Sequence, residues 1–183
     1  STPDEQSHPT SIDADEMAEI GATAFDQLKS KEQLSADYVA QSHVRCVADQ
    51  LTAEMPSDET ASRWESLVFA ADSADAMALP GGKIGIHNGM FALLDSEGQL
   101  AAVIAHELGH LIEGHAARRV STGFSAESAI GAVQTYRRVQ GPQVSRTLYA
   151  LLGLGSQVGI ALPYTSADEA QADAAGLALM ARA

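Results

Sequence analysis

At 183 residues, with a hydrophobic fraction of 45% and a mean hydropathy of −0.05, the chain has the size and composition of one soluble globular domain with a real core. Its formal charge of −13 excludes a nucleic-acid binder, since phosphate backbones are held by lysine and arginine, and argues equally against an anionic membrane surface. One cysteine, Cys46, excludes an internal disulfide and says little about compartment.

The opening "STPDEQSHPTS" is polar and proline-containing, and it is expected to form a flexible acidic tail (residues 1–11) ahead of a single domain (12–183). Met17, Ile20, Ala24 and Leu28 keep helical spacing, as do Ala40, Val44, Val47 and Leu51. Two amphipathic helices are therefore predicted, with a turn near Ser30. Met55–Ser62 reads as a loop, and "RWESLVFAA" and "DAMALPGGKIGIH" read as strands punctuated at "LPGG". Ser96, followed three residues later by Gln99, signals a helix start. That helix is predicted to run through His110 towards Arg118 and to break at "VSTGFS" (Val120–Ser125). Further helical segments are predicted around Ala126–Gln140 and Gln143–Ile160. The oily run Thr147–Pro163 is short of the ~20 apolar residues that span a bilayer and reads as a buried helix or helix pair, with an interfacial segment as the lesser alternative. A last helix is predicted from Ser166 to the chain end.

Two histidines and a glutamate stand in the otherwise apolar "AAVIAHELGHLIEGH" (Ala101–His115). Residues four apart share a helix face, so His106 and His110 can aim two imidazole nitrogens at one point, as zinc requires. Glu107 is offset by ~100° from His106, too far round to share the metal but able to reach a water beside it as general base. Val103, Ile104, Leu108, Leu111 and Ile112 bury this helix, where unpartnered imidazoles would be costly. The bland alternative is a satisfied pair of core histidines with a solvated neighbour.

A catalytic zinc takes three protein ligands. A further histidine six residues after His110 is absent, because Ala116 stands there. His115 lies ~140° around from His110 on a continuous helix and reads as a surface or interhelix residue. In "YTSADEAQADAAG", Glu169 and Asp173 are four apart on one face. Glu169 suits the third ligand, and Asp173 suits a hydrogen bond to a ligand histidine. Against this, Ser166 and Glu169 also spell a capping box. The neighbouring Gly176 and alanines, which let two helices approach closely, favour the ligand. One Zn2+ per chain is expected.

"DAMALPGGKIGIHNGMFALLDSEGQLAAVIAHELGHLIEGHAARR" together with "LPYTSADEAQAD" resembles the zinc metallopeptidases that include the CAAX prenyl endopeptidase, the heat-shock protease HtpX and the mitochondrial OMA-type protease, most closely the soluble bacterial OMA-like branch. The resemblance implies His106, His110 and Glu169 as zinc ligands, Glu107 as catalytic base and Asp173 as the supporting aspartate. It implies an α+β, mostly helical, zincin-like (gluzincin) fold with a small antiparallel-edged sheet whose edge strand faces the cleft. It further implies a bacterial periplasmic or envelope setting, with a lipid anchor carried by a removed N-terminal segment. Two features depart from the family pattern: Asp75 stands where asparagine is usual, and relatives generally continue beyond the last helix. The oxyanion-stabilising group is left open among Tyr149, Tyr164 and His115.

The leading function is a zinc endopeptidase for unfolded or damaged envelope proteins. The alternatives are a zinc-retaining, latent or non-catalytic assembly or chaperone-like factor, and a helical interaction module with structural histidines. Substrate is expected to pair with an exposed strand at Ile84, Gly85 and Ile86. The alternative there is that Ile84 and Ile86 pack in the core and the strand is covered on both sides.

Overall fold

The structure, a computed structural model, describes residues 12–56, 63–123, 152 and 163–183. The acidic tail, the helical segments expected within 126–160 and most of the oily run lie outside the described residues.

Helix α1 (Ala14–Lys31) starts on a capping box between Asp13 and Glu16, and α2 (Tyr38–Ala53) starts on the Asp37 side chain. Strands β1 (Glu65–Phe69), β2 (Ala76–Leu79) and β3 (Lys83–His87) follow. A short 3-10 turn (Asn88–Ala92) leads into α3 (Glu97–Ile112), then α4 (His115–Gly123) and, after the interval outside the described residues, α5 (Ser166–Met180). The result is the mostly helical α+β domain with a small sheet that the sequence implies. Among the described residues, no helix is long and apolar enough to cross a membrane.

The sheet order is β1-β3-β2, with β3 parallel to β1 and antiparallel to β2. Side chains alternate across it, so the two faces feed two cores. Phe69, Met77 and Leu79 pack against Ile20, Ala24, Phe25 and Leu28 of α1. Val68, Ile84 and Ile86 pack against Val44, Val47 and Leu51 of α2 and Leu100, Ile104 and Leu108 of α3. The expectation that Ile84, Gly85 and Ile86 form an exposed edge is therefore corrected. β3 is the central strand, Ile84 and Ile86 are buried, and a Cβ on Gly85 would press on Met77 and Phe69 at 3.1 Å.

The two true edges differ. On β1, Gln41 both donates to the Val68 carbonyl (2.8 Å) and accepts from its N–H (2.9 Å), while Ala70 N–H donates to the Gln33 carbonyl. That edge is closed. Among the described residues no strand pairs with the other side of β2.

Helices α3 and α5 meet backbone to backbone. A Cβ on Gly176 would lie 2.8 Å from the Ala105 carbonyl oxygen, and one on Gly109 would overlap that of Ala172. Only hydrogen at these two positions lets the helices approach this closely. Gly109→Ala is therefore expected to cost about 1–3 kcal/mol. Gly98→Ala, where the new methyl would meet only the Ser96 hydroxyl at 3.9 Å, serves as control. Urea midpoints measure both; equal midpoints for Gly109→Ala and the parent would contradict the close-packing account.

Two helix boundaries also differ from expectation. α3 ends at Ile112 with Glu113 as its cap, and Gly114 takes a left-handed φ of 64°. This is the glycine stop that closes many helices. α4 then continues through Val120–Gly123, where a break was expected.

Candidate metal centre

His106 and His110 sit one turn apart on α3, and α5 brings Glu169 opposite them. His106 Nε2 lies 3.2 Å from His110 Nε2 and 3.1 Å from Glu169 Oε2, which stands 3.8 Å from His110 Nε2. Four-coordinate zinc with bonds of about 2.0–2.2 Å holds its donors about 3.3–3.5 Å apart, so this triangle fits the ion closely. Two imidazoles and one carboxylate are a donor set that zinc accepts, with the fourth position left for water or substrate. Within the described residues, these three form the one group of histidine, cysteine and acidic side chains that could hold a metal ion.

The surroundings suit neutral ligands. Burial first, and then the neighbouring His106, His115 and Arg119, push His110 down to about 4 against the opposing charge of Asp168, so its imidazole is uncharged at neutral pH. Asp173 Oδ1 stands 2.8 Å from His106 Nδ1. As an acceptor-only carboxylate it takes that N–H and leaves Nε2 bare towards the centre.

Glu169 is free of the helix cap. The N-cap of α5 is Thr165, one residue earlier than expected: its Oγ1 accepts from Asp168 N–H (3.1 Å), and Asp168 accepts from Thr165 N–H (3.2 Å). Asp168 does the capping, and Glu169 turns inward.

Glu107 points from α3 into an open cleft of about 470 Å³, lined also by His106, Asp173, Asp75, Ala76 and Met90. Burial raises its carboxyl to about 7; the His106 charge opposes the rise, while the negative charges of Glu169 and Asp75 add to it. Asp75 thus sits at the head of β2 facing the site.

Of the oxyanion candidates, Tyr149 lies outside the described residues. Tyr164 stacks on the His110 ring at 4.1 Å and 21°, with the Arg119 guanidinium 3.6 Å from its centroid. His115 is buried and faces His110, not the cleft, with Nδ1 2.8 Å from His110 Nδ1. Of the two placements expected for it, on the surface or between helices, the second is the one observed. The glycine stop interrupts the helix on which the ~140° offset was reckoned. The signal was in the sequence, as Gly114 directly before His115.

Together, fold and site set two histidines and a glutamate around one point on a mostly helical α+β frame. Residues 38–183 match the family profile "Peptidase family M48", and the chain belongs to that family. It is 30% identical over 121 residues to the Schizosaccharomyces pombe "Mitochondrial metalloendopeptidase OMA1" (66% of this chain, 34% of that protein). It is 32% identical over 120 residues to the Arabidopsis thaliana protein of the same name (66% and 23%). Similarity to the Yersinia pestis "Beta-barrel assembly-enhancing protease" is 23% over 176 residues (93% and 35%). The chain spans about a third or less of the length of these relatives.

Proposed function

We propose that this chain is a zinc-dependent endopeptidase that cleaves unfolded or damaged protein segments in the bacterial envelope. The observation that carries the reading is the convergence of His106, His110 and Glu169 on one point, with Glu107 beside it in an open cleft. Zinc, when bound, supplies the positive charge that polarises a peptide carbonyl and acidifies water. Glu107 takes the proton of the attacking water and passes it to the leaving amine. Asp173 holds His106 in its bonding orientation.

The substrate's place is the side of β2 with which, among the described residues, no strand pairs. An extended peptide paired there runs past Asp75 and Ala76, which line the same cleft as Glu107. Such pairing reads backbone rather than side chains, which suits segments of varied sequence. The envelope setting draws support from the resemblance to the bacterial OMA-like branch and from the bacterial relative named "Beta-barrel assembly-enhancing protease".

The test is elemental analysis of the purified protein combined with cleavage of denatured casein. About one zinc per chain is expected, with cleavage lost to a chelator and restored by zinc. A metal-free protein that neither takes up zinc nor cleaves after zinc is added would overturn the reading.

A further inference from the structure

The zinc reading uses neither His115 nor Gln171, yet both are paired in a way that bears on the metal. Gly114 folds the chain back so that His115, 1% exposed, enters between α3 and α5. Its Nδ1 faces His110 Nδ1 at 2.8 Å, and its Nε2 faces Gln171 Oε1 at 3.0 Å and Asp168 Oδ1 at 3.5 Å.

A neutral imidazole carries one N–H and one bare nitrogen, so each pairing constrains the next. Asp168 is a carboxylate that only accepts, and Arg118 holds the same oxygen at 2.7 Å. With Asp168 and the Gln171 amide oxygen both facing His115 Nε2, the hydrogen belongs on that nitrogen. His115 Nδ1 is then bare and accepts. The nitrogen opposite it, His110 Nδ1, must donate. His110 Nε2 is left bare, 3.2 Å from His106 Nε2 and 3.8 Å from Glu169 Oε2, where a cation needs it. The reverse assignment would put a hydrogen on His110 Nε2 and block the bond.

We propose that His115, anchored by Gln171 and Asp168, is a positioning residue that fixes His110 in its metal-binding tautomer. It does for His110 what Asp173 does for His106. The difference in residue type follows from depth: Asp173 is 69% exposed, whereas the partner of His110 is fully enclosed, where a carboxylate would be costly. The relay through the His115 ring moves the carboxylate out to Asp168. Gln171 lies on the same helix as Glu169, so docking of α5 delivers a ligand and orients another together. The inference rests on the zinc reading above.

Two measurements test it. Zinc affinity, by competition with a chromophoric chelator, is compared for the parent, His115→Phe and His115→Gln. His115→Phe is expected to bind about 10–100-fold more weakly, the usual loss on removing such a partner. His115→Gln, whose amide oxygen still accepts from His110 Nδ1–H, should recover most of that loss. Separately, ¹⁵N-histidine spectra of the zinc-free parent are expected to show the His110 hydrogen on Nδ1. A folded His115→Phe variant that binds zinc within twofold of the parent overturns the proposal. If that variant does not fold, a His110 hydrogen on Nε2 in the parent spectrum overturns it. A parent that binds no zinc defeats the zinc reading instead, and the spectrum still decides where the hydrogen lies.

Discussion

Glu107→Gln is expected to keep its zinc and its fold while losing about 10²–10⁴-fold in peptide hydrolysis, the usual contribution of a general base. The amide has nearly the shape of the carboxylate but takes no proton from water. Nothing in the metal triangle changes, because that triangle comprises His106, His110 and Glu169. Casein cleavage at matched zinc content is the measurement. A variant as fast as the parent would remove Glu107 from the mechanism. Zinc-loaded parent and variant that are equally silent would favour the assembly or chaperone-like alternative, or a latent enzyme.

The second large effect is expected at Glu169. Glu169→Ala removes one of three protein donors, so zinc affinity should fall by more than the about 10–100-fold that loss of an outer hydrogen-bond partner causes. The start of α5 should not suffer, because Thr165 and Asp168 cap it. Chelator competition gives the affinity, and thermal unfolding of the zinc-free proteins gives the helix. A variant with intact zinc binding but a zinc-free form less stable by the ~1 kcal/mol of a lost cap would make Glu169 structural after all.

The motif helix was legible because its geometry is local: two histidines one turn apart converge wherever the helix is placed. Glu169 and Asp173 could be found by the same one-turn logic, and the small residues around them pointed to the right partner helix. What escaped depended on tertiary placement. Thr165 with Asp168 and Ser166 with Glu169 fit the capping pattern equally, and only the docked position of α5 shows which pair caps. The contact of His115 with His110 was missed because one glycine converts a calculable helical offset into a sharp return of the chain. The position of β3 was hidden because β1 pairs with β3 in parallel, passing over β2. Sequence adjacency suggests neighbours, and here the neighbour in sequence became the edge.

The backbone contact between α3 and α5 at Gly109 and Gly176 has a temporal meaning. A ribosome releases His106 and His110 well before Glu169, Gln171 and Asp173. Until the last helix seats in its groove, the motif offers an ion two donors, too few to retain it tightly. On the proposed mechanism, cleavage therefore waits until α5 seats against α3. The same coupling runs in reverse: free zinc at a hundred times its dissociation constant would hold the seated helix with about 2.7 kcal/mol.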